Sequence, residues 1–228
     1  MIYLIPILFC LIHFVEFTSY LSRIAGLTVG YPMLGYSFQQ MFFVGTRFLF
    51  IALMPLIGYM VDKQIPTNDY LNMLFACMLL ASISYVIVFF FRGVFIEKIS
   101  KLVLIKSGSE QAQINYFNSF SFEGLLKYKK NIFLSAIVFC GYSLGVFIAF
   151  YFALIFHEYR TTLSQLSGVI NGFATVLLTF IIEPKLAKSF DEKNKDCINL
   201  LYSVLFGRFL GVAILSPLVI LTILLFNK

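Results

Sequence analysis

The stretch HFVEFTSYLSR, residues 13–23, places a histidine, a glutamate, a tyrosine and an arginine directly after the almost wholly apolar run MIYLIPILFCLI. At about 100° per residue, His13, Glu16, Tyr20 and Arg23 share one face of a helix, and a rise of about 1.5 Å per residue sets Glu16 roughly 10 Å from Arg23. Two more arginines, Arg47 and Arg208, fall inside other apolar runs, Arg47 on the same helical face as Gln40. Each such charge costs about 2.5–3.5 kcal/mol to insert at the centre of a membrane helix. Groups that expensive are kept only where they face a bundle interior, pair with one another or line water.

Several chemistries fit these residue types. A Glu16–Arg47 ion pair is the plainest, a lock between the first two helices. It leaves a surplus, because Arg47, Arg208 and an interfacial Arg23 face one buried carboxylate. Surplus cation inside a membrane implies an anion that comes and goes. The spacing His13-x-x-Glu16 would offer a metal two ligands from one face, but a zinc site needs three or more, and His157 is placed at the far end of another helix. A catalytic His13–Glu16 dyad stays open. There is no HExxH, GxSxG, P-loop or GxGxxG pattern, and no catalytic residue, metal or cofactor is assigned.

The elements that must hold these side chains follow from composition. The 228 residues are 60% hydrophobic and 12% charged, with 28 Phe and no Trp, a polytopic membrane protein of all-α class. Spans of about 20 apolar residues are expected at about 2–22, 38–60, 70–91, 132–156, 165–182 and 200–226. Together they form one six-helix transmembrane domain over residues 1–228. The first run has no basic flank and no small-residue cleavage site, so it reads as a retained helix. Gly26, Gly30, Pro32 and Gly35 break the chain after it, and Pro66 and Glu183-Pro184 mark further helix ends.

The net charge of +6 is not a nucleic-acid signal, because the cations cluster in short loops. Arg23, the lysines and arginine of the loop at about 92–131, and Lys185, Lys188, Lys193 and Lys195 put twelve on one side. Lys63, Arg160 and Lys228 put three on the other. That bias places both termini outside and the 92–131 loop in the cytoplasm. The loop opens with VFIEKISKLVLIK, either an interfacial amphipathic helix on anionic lipid or a frayed extension of helix three.

Cys10, Cys77, Cys140 and Cys197 show no paired spacing and are expected to be free. Small-xxx-small pairs at Gly141/Gly145, Gly168/Gly172 and Gly207/Gly211 predict close packing of helices four to six, or a face for a homo-oligomer. Asn171, Thr175 and Thr179 on helix five serve interhelical hydrogen bonds or a cavity equally well. Tyr20, Tyr36, Tyr59, Tyr142 and Tyr151 suit an interfacial belt or stacking on sugar rings.

HFVEFTSYLSRIAGLTVG, residues 13–30, resembles the opening signature of the Amj family of bacterial lipid II flippases: His, two residues, Glu-Thr-Leu-Ser-Tyr, then Arg-x-Ala-Gly and Thr-Gly. His13, Glu16, Ser19, Tyr20, Arg23, Ala25, Gly26 and Gly30 are the matching positions. TRFLFIALMPLIG (46–58), NGFATVLLTFIIEP (171–184) and GRFLG (207–211) resemble the family's second, fifth and sixth helices. The chain departs where the family has basic residues around Thr-Gly and a Thr-Ser-Asn run after the helix-two arginine.

The resemblance implies a bacterial inner-membrane flippase and not an enzyme. It would carry a polyprenyl-diphosphate-linked glycan, lipid II or another envelope precursor, to the outer leaflet. Membrane lipids would be its other partners, and nucleic acid would not be one. Arg23, Arg47 and Arg208 would bind the diphosphate, His13 and Glu16 would relay charge, and Tyr20, Gln40 and Asn171 would line the polar cavity. A membrane enzyme acting on polyprenyl lipids, and a structural or assembly protein, are the competing classes.

Overall fold

In the computed structural model, the structure describes residues 2–108, 120–192, 194 and 196–226. Among these, six helical segments are long and apolar enough to cross a membrane, and no strand occurs. Lys193, Lys195 and Lys228 of the charge count, and residues 109–119 of the long loop, lie outside the described residues.

The first span, α1 (Leu4–Thr28), runs past the expected end at 22, so Arg23 sits inside the helix and not in a loop. The break that follows is only three residues long. Gly30 takes the left-handed φ of 84° that a glycine tolerates, and the Tyr31 amide donates back to the Gly26 carbonyl at 2.8 Å. Pro32 then opens α2 (Pro32–Asp62), a position where its missing N–H costs nothing. A Cβ on Gly26 would stand 2.6 Å from the Gly35 Cα, and one on Gly35 only 2.4 Å from the Ser22 carbonyl. Both glycines are therefore the contact that lets α1 and α2 lie backbone to backbone.

The third span, α3 (Thr67–Phe90), ends at a break at Phe91, and α4 (Arg92–Ser107) is a separate helix. It is not a frayed end of helix three. Ile99 and Val103 of α4 pack on Ala25 and Val29 at the end of α1. A short α5 (Phe122–Leu126) is capped by Ser121 and leads into α6 (Lys129–Ile155).

The fifth span overturns the expectation that Glu183-Pro184 ends it. After α7 (Arg160–Leu177) the chain passes through a π-helical turn, Leu178–Ile182, and continues as α8 (Glu183–Asp191). Pro184 lacks the N–H that a continuous rod would direct to the turn before it, and the widened π-helical turn carries the rod on past it. The sixth span does the same: α9 (Cys197–Leu210), a π-helical turn Gly211–Leu215, then α10 (Ser216–Phe226).

The mostly buried helices α1 and α6 form the centre, α1 packed by α2, α3 and α4, and α6 by α7 and α9. Gly207 and Gly211 abut the Ile132 and Ala136 carbonyls of α6, where an added Cβ would come within 2.4 Å. Gly145 similarly meets Asn171 and Ile170 of α7. Gly168 and Gly172 have nothing within 4 Å and take no part in packing among the described residues. All four cysteines are free.

Candidate functional site

Two polar clusters sit on the α1–α2 hairpin, and their spacing comes from the antiparallel pairing of those helices. Glu16 is bonded across to Thr46, whose Oγ1 donates to Oε1 at 3.1 Å, and Arg23 is bonded across to Gln39. Seven residues separate the two levels on each helix, which is roughly 10 Å along the axis.

At the first level Glu16 accepts from Nη2 of Arg208, which reaches in from α9. Arg208 Nε also donates to the Tyr85 hydroxyl of α3 at 2.9 Å, and the guanidinium lies 4.5 Å over the Phe139 ring of α6. Having accepted from Arg208, Tyr85 directs its own proton to Nδ1 of His13, with which it is hydrogen-bonded. That places the imidazole proton on Nε2, the tautomer that can sit beside a guanidinium without repulsion. His13 Nδ1 lies 3.5 Å from Arg208 Nη2. Arg208 is fully buried, and its Nη1 has no hydrogen-bond partner among the described residues.

At the second level Arg23 is also buried, 2% exposed. Its Nε donates to Gln39, its Nη2 forms an ion pair with Glu183, and its guanidinium stacks 4.7 Å over Tyr36. Glu183 is the first residue after the π-helical turn, which delivers a carboxylate from the fifth span to the α1–α2 hairpin.

These pairings correct the sequence-based charge count. Glu16 is held by Arg208 and not by Arg47, and Arg23 is buried with a carboxylate of its own. The surplus cation is one residue, Arg47. It is exposed, it stacks on Phe43 at 5.1 Å and Phe50 at 6.0 Å, and it has no ion pair among the described residues.

Arg47 opens onto a groove flanked by α2 and α7–α8 and floored by α1 and α6. One part, about 460 Å³, is lined by Tyr20, Arg23, Gln39, Gln40, Arg47 and Glu183 among others. The adjoining part, about 250 Å³, is lined by His13, Glu16, Arg47, Phe139, Tyr142 and Asn171 among others. The two share Phe43, Arg47 and Tyr142, so Arg47 stands where they meet. Of the residues expected to act, Arg23, Arg47, His13, Glu16, Tyr20, Gln40 and Asn171 all line this groove. Arg208 does not; it lies behind Glu16. The Asn171 Oδ1 is buried without a hydrogen-bond partner among the described residues.

Sequence reasoning missed Glu183, Gln39, Thr46 and Tyr85. Glu183 had a signal, an acidic residue next to an apolar run, but its proline neighbour read as a helix stop. Gln39 differs from the chosen Gln40 by one step of about 100°. Among the described residues no group of three or more His, Cys, Asp or Glu side chains is placed to hold a metal ion.

The chain is similar to known proteins in two comparisons. A family described as "Amj: Alternate to MurJ" matches residues 90–225. Lipid II flippase Amj of Bacillus subtilis (strain 168) is 23% identical over 222 residues, which cover 86% of this chain and 82% of that protein. No solved structure matches. Six apolar spans and a bacterial relative make this a multi-pass protein of the bacterial cytoplasmic membrane. With more than half of its length matched by that one family description, the chain belongs to the Amj, Alternate to MurJ, family.

Proposed function

We propose that the chain is a flippase that moves a polyprenyl-diphosphate-linked saccharide, lipid II or a related envelope precursor, from the cytoplasmic to the outer leaflet. The observation that carries the reading is Arg47: an arginine inside a membrane span, with no carboxylate partner among the described residues, at the waist of a groove open to the side. Arginine's planar fork matches diphosphate oxygens in pairs, and a sideways opening lets the polyprenyl tail stay in lipid while the head crosses. The name of the Bacillus subtilis relative supports the same class, a transporter and not an enzyme.

With both termini outside, as the lysine and arginine bias requires, the Arg23–Glu183 end of the groove faces the cytoplasm. The arriving diphosphate displaces Glu183 from Arg23 and then passes roughly 10 Å along the groove to Arg47. Arg208 contacts the cargo only if Glu16 releases it, so Glu16 sets how much positive charge the path presents. His13, hydrogen-bonded to the same tyrosine as Arg208, is the group whose protonation would loosen that pair. An inside-negative potential favours outward movement of the anion by about 2.3 kcal/mol per charge per 100 mV.

The test is a sidedness assay in proteoliposomes with fluorescent lipid II and a membrane-impermeant quencher. The reading requires label to become accessible on the opposite face at a rate that scales with protein, and the lipid to be recovered chemically intact. No change in sidedness, or a chemically altered lipid, defeats it.

A further inference from the structure

Beside α1, α3 and α9 flank a slot of about 340 Å³ whose walls are almost entirely apolar. Phe17, Tyr85, Phe89, Phe120, Leu205 and Phe209 are among its lining residues. The rings of Phe89, Phe120 and Tyr202 meet edge to face at its upper end, with centroids 4.8–6.3 Å apart. Beyond them the slot continues into a second cavity, about 700 Å³, that shares Phe90, Phe120 and Tyr202 with it. This second cavity is polar at its rim, where Thr28, Arg92, Ser100 and Lys101 line it.

The rim carries an unneutralised charge. Lys101 is paired with Glu97 at 2.8 Å, but Arg92 has no ion pair among the described residues. Its guanidinium is held 4.5 Å over Phe89 and 5.9 Å from the Phe120 ring centroid, and its Nη1 donates to the Phe89 carbonyl at 2.9 Å. Arg92 is thus fixed at the junction of the apolar slot and the polar cavity, at the end of a membrane span. From Tyr202 to Phe209 the slot extends roughly 10 Å into the span.

We infer that this slot is a binding site for one phospholipid, with an acyl chain between α3 and α9 and its phosphate on Arg92. A helix, about 10 Å across with its side chains, is too thick for a slot of this volume, whereas a single hydrocarbon chain fits it. The polar rim, where Arg92 has no ion pair among the described residues, supplies what an anionic head requires at the end of a membrane span. Tyr85 forms a wall of the slot and also holds His13 and Arg208, so occupancy bears on the buried network from behind. The inference does not rest on what the cargo groove carries.

The absence of tryptophan makes the test clean. Phe206→Trp puts one reporter in the slot wall, and Phe180→Trp puts one at comparable depth on an exposed face of the fifth span. Each is reconstituted in phosphatidylcholine with a small mole fraction of phosphatidylglycerol brominated on its chains. The Phe206→Trp reporter should be quenched as though phosphatidylglycerol were enriched about tenfold over bulk, and the Phe180→Trp reporter only in proportion to mole fraction. Adding Arg92→Gln should return the first reporter to the bulk value. Native mass spectrometry of the wild-type chain should show one retained phosphatidylglycerol that Arg92→Gln loses. Proportional quenching at both positions overturns the site. So does a Phe206→Trp reporter that no lipid quenches, which would mean that the slot is closed to lipid.

Discussion

Arg208 and Glu16 form an ion pair between the sixth and first spans with the guanidinium wholly enclosed by protein. Both carboxylate oxygens are used, one by Arg208 and one by Thr46. The guanidinium also binds Tyr85 and covers Phe139, so four spans converge on one charge. A buried pair of this kind adds little net stability over an apolar filling, but each partner makes the other indispensable.

The first prediction follows from that asymmetry. Arg208→Met alone leaves Glu16 buried and unpaired and should cost about 3–5 kcal/mol. Glu16→Gln alone strands the guanidinium and should cost about as much. The double variant Glu16→Gln/Arg208→Met should recover more than half of the loss, read as thermal stability and monodispersity in detergent. Additive losses in the double variant would mean that the two residues do not depend on each other.

Arg47 should behave in the opposite way. It is exposed and, among the described residues, held only by ring contacts, so Arg47→Lys should change stability within about 0.5 kcal/mol. Transport should fall about tenfold or more, because an ammonium cannot make the paired contacts of a guanidinium with a diphosphate. Wild-type flipping rates in Arg47→Lys proteoliposomes would show that a generic positive charge suffices there.

The face carrying His13, Glu16, Tyr20 and Arg23 was readable from spacing alone, because helical periodicity does not depend on the partners. The partners were not readable. Arg47 and Arg208 are both arginines inside apolar runs, and only the packing of α9 against α6 through Gly207 and Gly211 brings Arg208 to Glu16. Glu183 was lost to a correct local rule, since proline does begin or end helices. The π-helical turn ahead of it carries the rod past the proline, which the rule for helix ends does not foresee. Tyr85 looked like any other tyrosine in an aromatic-rich chain, and its role comes entirely from what surrounds it.

Glycine contacts give a prediction about the scaffold. Gly207→Ala would drive a Cβ into the Ile132 carbonyl at 2.4 Å, and backbone cannot yield there cheaply. A loss of about 1–3 kcal/mol is expected, together with displacement of the adjacent Arg208. Gly168→Ala meets open space and should be neutral or stabilising by up to about 1 kcal/mol through helix propensity. Comparable losses at both positions, measured by thermal unfolding in one detergent, would show that Gly168 is packed after all, as in a homo-oligomer.

Glu183 yields the sharpest test of how the groove accepts an anion. Its carboxylate holds Arg23. A diphosphate that binds Arg23 must therefore compete with a tethered anion already in place. Glu183→Gln keeps the shape and an oxygen acceptor but removes the charge, so the competitor weakens while Arg23 stays positioned by Gln39 and Tyr36. Inorganic diphosphate should then bind the purified protein more tightly, by about tenfold for a loss of about 1.4 kcal/mol of competition. Flipping at saturating lipid should slow, because Glu183 no longer helps displace the cargo from Arg23. Glu183→Asp, which retains the charge, should stay near wild type in both measurements. A merely structural ion pair predicts something else: weaker diphosphate binding and a lower melting temperature in Glu183→Gln, since Arg23 would lose its support. Tighter binding with slower transport is thus the signature of an internal competitor, and weaker binding would remove Glu183 from the mechanism.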